Sequence, residues 1–182
     1  MLNLCVILNG PPGAGKDTIA DLIVEKEGFV KHQMKAILYQ HTADYYSIPL
    51  FIFEAMATDR QFKDRPTVML QRLPPRQALI QVSEKVYKPR YGLDYFGQAA
   101  AKACTDQNSR FTVFSDGGFD EEIEALQEVF DVVLIVRLHR EGYTFEGDSR
   151  SYLTNWRHVI DVTLEEGSPK RAVDEIMKAC NL

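Results

Sequence analysis

Residues 2–18 read LNLCVILNGPPGAGKDT, and their order decides the fold. Residues 2–9 are a short, nearly continuous apolar run, the pattern of a strand covered on both faces in a parallel sheet. A glycine-rich turn follows at once, with Gly10, Gly15 and Lys16 in the spacing GxxxxGK. After it comes a helix with apolar Ile19, Leu22 and Ile23 on one face, ending near Gly28. In this setting glycine lets the backbone wrap closely around an oligophosphate. Successive N–H groups and the helix N-terminus then point at the anion. Lys16 carries a movable positive charge toward β and γ phosphates, and Thr18 adds a hydroxyl. Gly10, Gly13, Ala14, Gly15, Lys16, Asp17 and Thr18 are the expected ATP-binding set.

One position departs from the usual pattern. Ser or Thr normally follows the lysine and holds magnesium; here the residue is Asp17. Its carboxylate can hold Mg2+ directly or through water, and an acid in the first turn of a helix is also simply favourable there. Both readings stay open.

Working outward, residues 29–32, 111–115, 131–138 and 159–164 read as further strands, and helical patterns separate them. Phe119, Ile123, Leu126 and Phe130 share one face of an acidic-started helix. Ser168 and Pro169 supply an N-cap and first-turn proline for a last helix striped by Val173, Ile176, Met177 and Cys180. Residues 33–106 read mostly as helix, interrupted by a charged, proline-bearing loop over 60–75. Strands alternating with helices mean α/β with a parallel sheet, whose ligands sit at the carboxyl ends of the strands. At 182 residues, one domain is expected.

Composition removes several classes of function. With 21 Lys and Arg against 26 Asp and Glu, the formal charge is −5, the wrong sign for a long nucleic-acid groove. No apolar run approaches the ~18 residues of a membrane span. The apolar start lacks the basic leader and cleavage site of a signal peptide. Cys5, Cys104 and Cys180 are far apart and odd in number, as in buried, reduced thiols of a cytoplasmic protein. The four histidines have no zinc spacing, and a homodimer is left open.

The stretch GPPGAGK resembles the phosphate loop of adenylate kinase and its nucleoside monophosphate kinase relatives. Its GKDT ending is similar to the deoxynucleoside monophosphate kinases of bacteriophages. So are Pro75-Arg76-Gln77-Ala78-Leu79, the segment KPRYGLDYFGQ with Lys88, Arg90, Gly92 and Asp94, the strand end VFSDGGFDE, and Val136-Arg137. The resemblance runs from about Leu4 to Arg137. It implies a three-layer P-loop fold with a five-stranded parallel sheet in the order 2-3-1-4-5. It also implies a helical acceptor-binding region over 33–106, a lid over 139–151, and a place in the cytoplasm (the host's, for a phage-encoded chain).

The same resemblance assigns roles. ATP would be the donor, with Mg2+ held by Asp17 and Asp116; the alternative for Asp116 is an N-cap of the following helix. Arg137 and Arg140, with Lys16, would stabilise the transferring phosphoryl group, Arg137 also binding ATP, because a guanidinium fork pairs two oxygens at once. Family members carry an arginine beside the strand-end Asp, where this chain has Gly117 and Gly118. The acceptor's charge must therefore be met by Lys35, Arg76, Lys88, Arg90 and Arg150. Residues 165–169 (EEGSP) would line the donor base, and one or two of the dense aromatics between Tyr39 and Phe96 would stack on the acceptor base.

The expectation is transfer of the γ-phosphoryl group from ATP to a (deoxy)nucleoside 5'-monophosphate. A kinase for another small metabolite shares the same loop and lid. A regulatory protein that binds ATP without turnover is the alternative from another class.

Overall fold

The computed structural model describes residues 2–59, 61–148 and 150–181, the side chains of Lys26 and Glu27 aside. Ser149 of the expected lid and Arg60 of the expected loop lie outside the described residues. Five strands, β1 (Leu4–Asn9), β2 (Val30–His32), β3 (Phe111–Phe114), β4 (Val132–His139) and β5 (Val159–Thr163), form one sheet ordered β2-β3-β1-β4-β5. Every pairing is parallel. This is the order 2-3-1-4-5 that the family resemblance implies.

All six residues of β1 are buried, because β1 is the middle strand and both of its faces are covered. Leu4, Val6 and Leu8 point to one side. There they pack with Ile19 and Ile23 of α1 (Lys16–Glu27) and Val173 and Ile176 of α8 (Pro169–Ala179). Cys5 and Ile7 point to the other side. They meet Phe114, Ile135, Ile123, Leu126 and, from α6 (Tyr95–Asp106), Ala100 and Cys104. The period of two along β1 thus separates the two cores and makes three layers. Among the described residues, no helix is long and apolar enough to cross a membrane.

The chain divides into two compact units, Met1–Met34 with Gly97–Leu182, and Lys35–Phe96. The second holds α2 (Lys35–Tyr45), α3 (Leu50–Thr58), α4 (Pro75–Val82) and α5 (Lys88–Tyr91). Its own core is built on Tyr39, Ala43, Phe53, Leu70 and Ala78. A turn of π-helix over Ser83–Tyr87 joins α4 to α5.

Three local expectations change. The acidic-started helix is α-helical only over α7 (Asp120–Glu124) and tightens into a 3-10 turn over Ala125–Glu128. Phe119 precedes that helix as its N-cap and is 37% exposed, so it leaves the buried stripe of Ile123 and Leu126. Ser168 stands at the N-cap of α8, but its side chain makes no capping hydrogen bond; Pro169 opens the helix as expected.

Candidate active site

The site begins where β1 runs out. Asn9 is the one polar residue of that strand, and it is buried. Burial of an amide requires partners, and Asn9 finds them far along the chain. Its Nδ2 donates to the carbonyls of Gly117 and Ser151, and its Oδ1 accepts from Leu153 N–H at 3.0 Å. Asn9 therefore ties together the ends of β1 and β3 and the segment after residues 139–150.

The glycine-rich turn then reverses the chain into α1. Gly13 and Gly15 adopt φ of 79° and 105°, left-handed values that other residues resist, and Gly15 is the N-cap of α1. Lys16 folds back over this turn, donating to Gly10 O at 2.7 Å and Pro11 O at 2.8 Å. An ammonium has three donors, and the described hydrogen bonds use two. Burial lowers the Lys16 pKa to about 8; the Arg150 charge pushes the same way, while Asp17, Asp148 and Asp116 push back. The loop lysine thus feels one other cation and three carboxylates.

Asp17 sits in the first turn of α1 with an exposed carboxylate. Its Oδ1 accepts from Ser115 Oγ at 2.8 Å and lies 3.0 Å from Lys31 Nζ, which also reaches Asp21 at 2.8 Å. Ser115, just past β3, thus sets a hydroxyl against the Asp17 carboxylate. Burial works against the Lys31 charge, but the hydrogen bonds to Asp21 and Asp17 outweigh it and raise its pKa. Asp116 follows Ser115, and its Oδ1 accepts from Met34 N–H at 2.9 Å. The next helix starts at Asp120 behind Phe119, so the capping alternative for Asp116 falls. Two carboxylates and a hydroxyl are hard oxygen donors of the kind Mg2+ takes when phosphate completes its shell. No group of three or more His, Cys, Asp or Glu side chains able to hold a metal alone occurs among the described residues.

The segment after β4 lies against the loop. A Cβ on Gly13 would come within 2.9 Å of Tyr143 Cε1, and the Arg140 guanidinium lies 4.8 Å from the centre of the same ring. Arg140, Ala14, Gly15 and Thr18 face Leu164, Glu165, Glu166 and Gly167 across a cleft of about 130 Å³. Arg150 donates to both oxygens of Asp148, at 2.8 and 2.7 Å, and those bonds raise its pKa despite burial.

The sequence-expected residues thus separate. Lys16, Asp17, Thr18, Asp116, Arg140 and Arg150 lie with the loop in the sheet-bearing unit. Arg137 is in the same unit, but its guanidinium is paired with both oxygens of Asp161, its register partner on β5, and His139 reaches the same carboxylate. In the other unit, Arg76 pairs with Asp64 at 2.8 Å and Lys88 with Glu84 at 2.7 Å. There Arg90 lies over the Tyr91 ring, and Lys35 lies 6.0 Å from the centre of the Tyr39 ring. Tyr143, Ser115, Lys31, Asn9 and Asp148 escaped the sequence reading. Only Asn9 left a local signal, as the polar residue closing an apolar strand.

No protein-family model matches the chain, and no curated protein matches it. Solved structures do match in fold. A sugar kinase from Janibacter sp. HTCC2649 is 13% identical over 100% of this chain and 95% of its own, with a TM-score of 0.55. A protein of Chloroflexus aurantiacus j-10-fl, described only provisionally as a kinase, is 10% identical over 98% of this chain and 99% of its own, with a TM-score of 0.54. At such identities the likeness is one of fold, and the sheet order and flanking helices are those of the three-layer P-loop kinases.

Proposed function

We propose that the chain transfers the γ-phosphoryl group of ATP to a small acceptor, a (deoxy)nucleoside 5'-monophosphate. The observation that carries the reading is the glycine-rich turn at the end of β1, with Gly13 and Gly15 left-handed, Lys16 folded over it and the Arg140 guanidinium against Gly15. Lys16 is half-buried, and burial, with the Arg150 charge behind it, disfavours an ammonium that an arriving polyphosphate would favour. Phosphoryl transfer asks for this positioning and charge more than for a general base.

Backbone N–H groups of Gly13 to Thr18 cradle the donor phosphates, and Lys16 follows the β and γ groups. Arg140 and Arg150 meet the charge that spreads over the transferring group. The donor base lies in the cleft between Ala14–Thr18 and Leu164–Gly167. Asp17, Ser115 and Asp116 would hold Mg2+, which neutralises phosphate charge and draws electrons from the bond that breaks. Arg137, paired with Asp161 as Arg150 is with Asp148, would join Arg140 and Arg150 with the guanidinium N–H groups that its carboxylate leaves over. Arg76, Lys88, Arg90 and Lys35 receive the acceptor by exchanging partners such as Asp64 and Glu84 for its phosphate. The monophosphate class rests on the similarity of GKDT, PRQAL and SDGGFDE to the phage enzymes.

An ADP-release assay with ATP, Mg2+ and each ribo- and deoxyribonucleoside monophosphate tests the reading. Stimulation by one or more monophosphates, lost in Lys16→Ala, is expected. Silence across the panel, with ATP still bound, would sink it. The likeness in fold to a sugar kinase favours one second reading, phosphorylation of a sugar or related metabolite, and the same assay extended to those acceptors decides between the two.

A further inference from the structure

Two adjacent glycines close β3, and neither is there for its dihedral freedom, since neither Gly117 nor Gly118 has a positive φ. They are there for space. A Cβ on Gly117 would lie 2.3 Å from Ile7 Cγ2, a buried core atom. A Cβ on Gly118 would lie 2.5 Å from Arg150 Cδ and 2.9 Å from its Cγ. The stem of Arg150 thus runs across bare backbone at residue 118.

Arg150 has little room to move away. Its backbone N–H and its guanidinium both bond to Asp148, at 3.0, 2.8 and 2.7 Å. On its C-terminal side, the Ser151 carbonyl and the Leu153 N–H are both held by Asn9. A methyl group at residue 118 cannot be relieved by sliding this backbone, so the Arg150 side chain would have to swing out.

We infer that Gly118 is a positioning residue whose missing side chain seats Arg150 beside Lys16, so that the two cations together grip the terminal phosphate of a bound nucleoside triphosphate. The inference rests on the phosphoryl-transfer reading of this site and assigns part of it to a residue that touches no ligand. Lys16 reaches β and γ phosphates from the loop; Arg150, with Nε and one Nη2 N–H on Asp148, adds the Nη1 and remaining Nη2 N–H groups as a second fork for the oxygens of one phosphate. Removing the fork should cost ATP more than ADP, because only ATP carries the third phosphate.

Calorimetric titration of the full chain with ATP and with ADP, at neutral pH, provides the test. Arg150→Ala is expected to weaken ATP binding about tenfold or more, the scale of a lost charge-assisted pair, and to leave ADP nearly unchanged. Gly118→Ala should lower the ATP-over-ADP preference in the same direction. Gly118→Ala/Arg150→Ala should bind as Arg150→Ala alone, because the glycine acts through the arginine. Gly117→Ala, which meets only Ile7, should lower stability and keep the preference. If Gly118→Ala fails to fold, the double variant, which removes the colliding Cγ and Cδ, should recover the fold.

An unchanged preference in folded Gly118→Ala, or effects of the two substitutions that add in the double variant, would overturn the inference. Because binding is read, a chain that prefers ATP in this pattern yet phosphorylates no acceptor keeps the seat and refutes only the transfer. A chain that binds neither nucleotide overturns both.

Discussion

The cations of the two compact units live under different electrostatic terms. In Lys35–Phe96 they have partners of their own: Arg76 with Asp64, both about half exposed, the less exposed Lys88 with Glu84, and Arg90 over Tyr91. An exposed pair such as Arg76–Asp64 is worth roughly 0–1 kcal/mol and opens readily. At the glycine-rich turn, burial and then the Arg150 charge disfavour the charge on Lys16, while Arg150 is braced by Asp148, which has only 9% of its side chain exposed. The first arrangement is a cationic surface that costs little to rearrange. The second is strained toward an anion and held in place. A site that must exclude water and stabilise transferred charge needs the second; a site that captures and releases an acceptor can use the first.

Breaking the strained end should have the largest effect. Lys16→Ala removes the cation nearest the donor phosphates, and ATP-dependent turnover is expected to fall at least about a hundredfold in the ADP-release assay. Arg140→Met should follow, with kcat/KM for ATP lower by about ten- to a hundredfold, because one guanidinium fork is lost. A fall in kcat/KM for the acceptor alone would move Arg140 out of the donor site.

The Lys16 charge itself can be titrated. With its pKa lowered to about 8, Lys16 loses its proton as pH rises through 8, and ATP affinity measured by titration should be weaker at pH 9 than at pH 7. The stability term has the opposite sign. A lysine with a depressed folded-state pKa binds fewer protons folded than unfolded between about 8 and 10.5, so folding gains stability across that window. Urea midpoints of the wild type should therefore rise relative to Lys16→Met between pH 8 and 10. Parallel curves would mean that Lys16 keeps its charge and that burial does not disfavour it.

Much of the fold was legible because its signals are local. The apolar run 4–9, the turn 10–15 and the stripe of Ile19 and Ile23 each report their own structure, and Gly28 ends α1 in the left-handed conformation the sequence asks for. The strand order 2-3-1-4-5 was carried by the resemblance to the monophosphate kinases, not by any one segment. The site was legible only where one segment carries it. Asp17 could be named, but Ser115 on its carboxylate is 98 residues away and Lys31 comes from β2. Arg137 could be named, but its tie to Asp161 depends on the register of β4 with β5. Tyr143 over Gly13 and Arg150 over Gly118 are contacts that no spacing encodes, because each depends on where the chain returns after more than thirty residues.

The smallest effect tests the surface end of the comparison. Arg76 opens α4, where its charge opposes the helix dipole unless an anion is near, and the chain supplies one in Asp64. If that carboxylate only parks the guanidinium until an acceptor phosphate displaces it, the pair should contribute little to the fold and something to capture. Arg76→Met is then expected to shift stability by less than about 1 kcal/mol, read from the urea midpoint. It should raise the acceptor KM several-fold with kcat held, the mark of binding made equally in ground and transition states. Asp64→Asn frees the same guanidinium and should move KM the other way. If both substitutions raise KM, the pair is a fixed part of the acceptor's seat; if neither moves it, Arg76 and Asp64 serve only to start the helix.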